Sequence, residues 1–193
     1  WHMIAKDLGL SIDFIPITDN GELDLSNIDQ LITSNTKLIS IVHQSNVLGT
    51  INPIKTIIKK AHEKGALVLI DGAQSVAHQE INVIDLDCDF FVFSGHKIYG
   101  PTGVGVLYSK LDILNQMQPI IGGGEMIQEV TNTGFTLNQL PWRFEAGTPP
   151  ISEVIALKEA IKYIKELGVS NIFEYENKLI KRAENQLLDI KGI

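Results

Sequence analysis

The chain contains 193 residues, 44% of them hydrophobic, and its 16 basic and 23 acidic residues give a net charge of −7. This length is enough for a sizeable core, either as one domain or as part of a larger one. The acidic charge balance argues against binding to nucleic acid. No apolar run approaches the ~18 consecutive residues that a membrane helix needs. We therefore expect neither a nucleic-acid partner nor a membrane span.

Cysteine and histidine usage argues against several kinds of site. The one cysteine, Cys88, rules out an internal disulfide and a CxxC motif, and it suits a reducing compartment. It lies at the entry of an apolar run, so we expect a buried structural thiol. The five histidines lack the HExxH spacing of a zinc site. The first residues show no signal-peptide pattern, and we expect a cytoplasmic protein, or an organellar one if a targeting segment lies upstream.

Apolar periodicity in the first third of the chain alternates between strands and helices. Residues 11–17 and 38–43 are predicted strands, and residues 25–32 between them have the apolar spacing of a helix. A further helix is predicted over residues 53–65, because a proline opens it and a glycine ends it.

Three apolar strands and two long helices follow. Residues 66–70 are continuously apolar, as a strand covered on both faces should be. The order strand, helix, strand, loop, strand predicts an α/β layered domain. Residues 118–150 are poor in periodicity and rich in Gly, Thr, Asn and Pro, which indicates a long functional loop or lid rather than a linker. The other predicted strands are residues 90–93 and 104–108, and the predicted helices are residues 152–167 and 171–190, separated by Gly168.

Polar residues follow two of the apolar strands. Asp71 comes directly after the first, and Ser94, His96 and Lys97 come after the second. Ligands bind at the carboxyl ends of parallel strands, which lie ~4.8 Å apart, so these groups should share one pocket. A lysine and a carboxylate are what pyridoxal phosphate (PLP) needs, for a Schiff base and for its pyridinium nitrogen, and a hydroxyl and an imidazole can hold its phosphate. The alternative for Asp71 is a turn or helix-capping acid, since Asp-Gly is a turn signal.

The chain resembles the class V aminotransferases of PLP fold type I, and among them the SUF-type (group II) cysteine desulfurases and the related selenocysteine lyases. The lysine segment is shared by the whole class, whereas the triple glycine and the segment that begins at Arg143 favour the SUF type. The matching stretches are residues 45–50, 71–74, 87–90, 93–105, 122–127 and 142–149.

The resemblance implies the fold type I large domain, with a mostly parallel sheet and helices on both faces, present here incompletely. Residues 1–168 would be part of this PLP-binding domain, and residues 169–193 a helix leading toward a C-terminal small domain. In this domain Lys97 would bind PLP covalently and move the substrate proton. Asp71 would keep the pyridine nitrogen protonated, and Gln74 would hydrogen-bond the phenolic oxygen.

The remaining implied contacts concern the phosphate and the substrate. Ser94 and His96 would hold the phosphate, and Asn46 would bind the cofactor or the carboxylate side of the substrate. Thr148 would reach the phosphate of the neighbouring subunit, since this family builds its sites across a homodimer interface.

The implied activity is removal of sulfur from L-cysteine, giving L-alanine and an enzyme persulfide that a sulfur-acceptor protein takes up for iron-sulfur cluster assembly. A selenocysteine lyase acting on L-selenocysteine and another class V enzyme are alternatives, and a truncated binding or interaction module is a non-enzymatic one. The family's nucleophilic cysteine and carboxylate-binding arginines have no counterpart in this sequence. We therefore expect the 193-residue chain by itself to be inactive.

Overall fold

The computed structural model describes residues 1–192 and contains a four-stranded sheet in the order β1-β2-β3-β4. Strands β1, β2 and β3 are parallel, and β4 pairs antiparallel with β3. Residues 95–104 connect β3 to β4, which is too short for the crossover of about a dozen or more residues that a parallel pair needs. The mixed α/β class with a mostly parallel sheet is confirmed. The strands are β1 (Leu38–Val42), β2 (Leu67–Asp71), β3 (Phe90–Ser94) and β4 (Gly105–Ser109).

The helices agree with the predicted ones where the apolar stripe is long. The helices predicted at 53–65, 152–167 and 171–190 are confirmed to within about two residues, but the one predicted at 25–32 is reduced to four residues. Among residues 1–192, no helix is both long and apolar enough to cross a membrane. The helices are α1 (His2–Leu8), α2 (Ile28–Leu31), α3 (Ile54–Glu63), α4 (Val83–Leu86), α5 (Leu111–Gln116), α6 (Ile151–Leu167) and α7 (Val169–Leu188).

The core lies on one face of the sheet. Ile57 and Ala61 of α3 are fully buried against this face, together with Val68 and Ile70 of β2. Phe93 of β3 contacts both this cluster and a second one that contains residues of α6. Helices α3 and α6 therefore pack on the same side of the sheet.

The opposite face carries apolar side chains that remain partly exposed. Within residues 1–192, β2 buries one of its two faces, because Leu67 is 37% exposed whereas Val68 is 0% exposed. The strand is therefore not covered on both faces by the described residues, contrary to the prediction from its continuously apolar sequence. Leu38 and Val42 of β1 and Leu107 of β4 are also more than a third exposed. Strand alternation places Asp71 on the same side as Leu67. The partly open face is therefore the one that carries the predicted site carboxylate.

Two predictions made from periodicity are wrong. Residues 11–17 form no strand: Ile17 makes an isolated antiparallel bridge with Leu23, and the segment has no further strand partner among the described residues. Residues 118–150 are not all loop, because they contain a hairpin of β5 (Ile127–Thr131) and β6 (Gly134–Leu137). The hairpin is exposed along most of its length. It therefore lacks the alternation of apolar and polar residues by which a half-buried strand is predicted from sequence.

Candidate active site

The parallel pairing of β2 and β3 brings the predicted acid and hydroxyl to one edge of the sheet. Asp71 is the last residue of β2 and pairs in register with Val92. Ser94, the last residue of β3, lies two positions beyond Val92 and therefore on the same face as Asp71. Asp71 is exposed and Ser94 is half-buried, so both side chains can be reached by a ligand.

His96 and Lys97 lie in a short 3-10 turn, Gly95–Ile98, that follows β3 directly. A buried side chain and a backbone hydrogen bond anchor this turn. Ile98 is 6% exposed in the core, and the Gly95 amide donates to the Val104 carbonyl at 2.8 Å. A side chain at position 95 would lie 2.7 Å from Val104 Cγ1. The backbone is therefore held tightly while the side chains of His96 and Lys97 remain exposed.

The segment after Asp71 is anchored to the neighbouring strand. The Gly72 amide donates to the Val92 carbonyl at 2.8 Å, and a Cβ at position 72 would lie 2.0 Å from the Phe91 ring. Oδ1 of Asp71 accepts from the Ala73 amide at 2.9 Å, as in the turn predicted as the alternative role. Oδ2 accepts no hydrogen bond from residues 1–192, so the turn leaves one carboxylate oxygen free for a ligand.

Asn46 and Gln74 lie on segments that leave the same edge. Strand β1 is the parallel neighbour of β2, and the loop after it carries Asn46 in an exposed position. Gln74 is half-buried and immediately precedes the 3-10 turn Ser75–Ala77. In the described part of the chain neither side chain has a hydrogen-bond partner, and the same is true of Ser94 and Lys97, which leaves their polar groups available.

Thr148 lies on a different segment from the other predicted site residues. It is exposed in the loop that precedes α6, and no hydrogen bond within residues 1–192 joins its side chain to the strand-end group. The Gly147 amide donates to the Gly124 carbonyl at 2.9 Å, which ties this loop to the triple glycine. The structure therefore brings Asp71, Ser94 and the Lys97 turn to one edge of the sheet, and Thr148 makes no hydrogen bond to this group within residues 1–192.

Cys88 lies at the other end of β3 from Lys97. It precedes the strand and is 0% exposed, and burial raises the pKa of its thiol from 9.0 to about 11. A thiol that is both inaccessible and protonated is a poor nucleophile. The predicted burial of Cys88 is confirmed.

Sequence reasoning missed the contacts beneath the site. Gln79 Nε2 donates to Gln44 Oε1 at 3.0 Å, across 35 positions of sequence. His43 and Asn52 are buried polar residues at the base of the Asn46 loop. Local periodicity carries no signal for such pairs, because the tertiary fold alone brings them together.

The family profile described as aminotransferase class V matches residues 1–193. The chain belongs to the class V aminotransferase family. This family uses PLP as its cofactor, and the predicted resemblance is confirmed.

Several relatives among the solved structures and the curated sequences are named cysteine desulfurases. The crystal structure of the cysteine desulfurase CsdA (S-sulfonic acid) from Escherichia coli superposes with a TM-score of 0.96 at 37% identity, over 100% of this chain and 48% of that chain. The apo structure of a cysteine desulfurase from Thermococcus onnurineus NA1 gives a TM-score of 0.93 at 41% identity, over 97% of this chain and 47% of that chain. A cysteine desulfurase of Dickeya dadantii is 48% identical over 98% of this chain and 46% of its own length. The class V chain thus spans about half the length of the curated relatives it matches.

Proposed function

We propose that this class V chain is the cofactor-binding part of a PLP-dependent cysteine desulfurase, which converts L-cysteine to L-alanine and passes the sulfur to an enzyme cysteine as a persulfide. The observation that carries the proposal is the parallel β2–β3 pair, which sets a free carboxylate oxygen beside a hydroxyl and an amine-bearing turn. The similarity to cysteine desulfurases over the whole chain supports the choice of reaction.

The donor set on this edge of the sheet fits PLP. PLP needs an acid for its ring nitrogen, donors for its phosphate and an amine for its aldehyde, and Asp71, Ser94 with His96, and Lys97 provide these groups. The half-exposed apolar side chains on the same sheet face suit an aromatic ring. When bound, the cofactor supplies an electron sink for the α-carbon of the amino acid.

The residues of the chain have separate tasks in this proposal. Lys97 holds the cofactor covalently and then moves the proton at the substrate α-carbon through Nζ. Asp71 holds the proton at the ring nitrogen through Oδ2, while Oδ1 keeps its bond to the Ala73 amide. Gln74 donates to the phenolic oxygen, and Ser94 and His96 bind the phosphate.

Two further residues are assigned to the periphery of the site. Asn46 binds the cofactor or the carboxylate side of the substrate from the loop after β1. Thr148 binds the phosphate of a second subunit in a homodimer, an assignment consistent with the exposure of its side chain. The sulfur-accepting cysteine is not Cys88, because that thiol is buried and its pKa is raised.

Trapping of the cofactor tests the proposal. We expect the protein purified from its full open reading frame to be yellow, and borohydride reduction followed by peptide mapping to place the adduct on Lys97. Lys97→Ala should abolish the adduct, whereas Lys59→Ala, on the outer side of α3, should not. An adduct on another lysine would contradict the assignment of Lys97. A separate comparison of sulfide release from L-cysteine with selenide release from L-selenocysteine distinguishes a desulfurase from a selenocysteine lyase.

A further inference from the structure

The loop that carries Asn46 is closed at its base by backbone and side-chain hydrogen bonds. The Asn52 amide donates to the His43 carbonyl at 2.8 Å, and Asn52 Nδ2 donates to the Val42 carbonyl, also at 2.8 Å. Asn52 is 6% exposed. Burying a primary amide is costly unless it is hydrogen-bonded, so this side chain is specifically suited to holding the two ends of the loop together.

The same loop is joined to both segments that carry the other proposed cofactor contacts. The His43 amide donates to the Asp71 carbonyl at 2.8 Å, which links the base of the loop to the end of β2. Gln44, the first residue of the loop, accepts from Gln79 Nε2 at 3.0 Å. Gln79 lies just past the 3-10 turn that follows Gln74. The position of the loop relative to both segments is thus set by hydrogen bonds.

The base of the loop borders an open pocket. His43, Asn52 and Gln79 line this pocket, which has a volume of about 900 Å³ and lies beside α3, α4 and α6. The Nδ1 atom of His43 is buried without a hydrogen-bond partner within residues 1–192, and burial lowers the pKa of this imidazole. The pocket borders the base of the loop on one side, so a loop that has lost these hydrogen bonds has space to shift on that side.

We propose that Asn52 and the Gln44–Gln79 pair, here called the loop clasp, are positioning residues that hold Asn46 in register with Asp71 and Gln74. The proposal rests on the cofactor site proposed above. None of the clasp side chains needs to touch the cofactor. Their effect passes through the position of Asn46.

The test uses wild-type and variant proteins expressed from the full open reading frame. It compares their dissociation constants for PLP and the melting temperatures of their apo forms. Asn52→Leu and Gln79→Leu should each weaken PLP binding about three- to tenfold, the effect of losing one partly buried hydrogen bond in the bound state. Asn171→Leu is the matched control, because its Nδ2 also donates to a backbone carbonyl at 2.8 Å, at the α6–α7 corner. The control should lower the melting temperature without changing PLP affinity.

A double-mutant cycle with Asn46 separates positioning from general destabilisation. If the clasp acts through Asn46, Gln79→Leu should change PLP affinity less than about twofold in an Asn46→Ala background. Equal PLP affinity of wild type and both clasp variants, or full additivity with Asn46→Ala, overturns the clasp while leaving the cofactor site intact. Absence of PLP binding in the wild type overturns the proposed function and the clasp with it. If Asn52→Leu does not fold, the half-buried Gln79→Leu decides the question.

Discussion

At the scale of single residues, Asp71 shows how one side chain can serve a turn and a reaction. Its Oδ1 is occupied by the Ala73 amide, and its Oδ2 is free within the described residues. The two sequence-based roles, a capping acid and a partner for a ring nitrogen, are therefore compatible. Removal of the charge without removal of the hydrogen bond distinguishes them.

Asp71→Asn keeps an oxygen that can accept from the Ala73 amide, so we expect the fold and cofactor binding to survive. Loss of the carboxylate removes the group that keeps the ring nitrogen protonated, and turnover should fall by several orders of magnitude. Steady-state alanine formation and PLP titration measure the two effects. Turnover within about tenfold of wild type would assign Asp71 to the turn alone.

At the scale of elements, the end of the sheet opposite the site is held by polar contacts around one buried carboxylate. Asp89 precedes β3, and its side chain is 4% exposed. It accepts from the Val68 amide at 2.7 Å and contacts His62 of α3 at 2.8 Å and Lys110 at 3.0 Å. Lys110 also donates to Asp87, and this hydrogen bond lowers the Asp87 pKa. One carboxylate thus joins β2, β3, α3 and the residue that follows β4.

Asp89→Ala should lower the free energy of unfolding by about 1–3 kcal/mol, because it leaves the buried Val68 amide without an acceptor and removes the contacts to His62 and Lys110. Urea denaturation of the apo protein measures the loss. The control is Asp85→Ala, which breaks an ion pair with Lys55 whose side chains are 63% and 60% exposed and should cost less than about 1 kcal/mol. PLP affinity should stay constant in both variants. Equal losses in the free energy of unfolding would show that the buried position of Asp89 does not increase its contribution to stability.

At the scale of the whole molecule, two features lack a partner among the described residues. One is the partly exposed face of the sheet, and the other is the side-chain hydroxyl of Thr148. The apolar face carries Asp71, and Thr148 makes no contact with that group through hydrogen bonds in the described residues. A phosphate contact made by a second copy of the chain would link cofactor binding to assembly, since the two equilibria then share a free energy.

Thr148→Val removes the hydroxyl with little change in shape, and we expect PLP retention and dimer formation to weaken together. Dialysis against buffer without PLP and sedimentation velocity at several protein concentrations measure the two properties. Thr56→Val, on an exposed position of α3, is the control and should alter neither. Weaker PLP retention with unchanged association would place Thr148 in its own subunit's site.

The 193-residue chain by itself should release no sulfide from L-cysteine. Its one thiol is fully buried with a pKa of about 11, so only about one molecule in a thousand would carry a thiolate at pH 8. Methylene-blue detection of sulfide tests the reaction, and thiol labelling before and after unfolding tests the accessibility of Cys88. Sulfide release at the rate of a complete desulfurase would make Cys88 a candidate nucleophile again.

The sequence by itself determined the strand-end chemistry. Long apolar stripes and buried runs are local signals, so α3, α6, α7, β2 and β3 were predictable, and with them the positions of Asp71 and Lys97 at two strand ends. The same local rules were wrong for residues 11–17 and missed the hairpin, because a strand there depends on a partner rather than on the segment's own periodicity.

Only the tertiary structure decided which residues support the site. Gly72 and Gly122 both lie in segments that resemble the family, yet a Cβ at position 72 would meet the Phe91 ring at 2.0 Å, while one at position 122 would meet nothing within 4 Å. The Gln44–Gln79 hydrogen bond likewise depends on two segments that meet only after the sheet has formed. The physical reason is that periodicity and turn chemistry act over a few residues, whereas packing and side-chain pairing depend on which distant segments become neighbours.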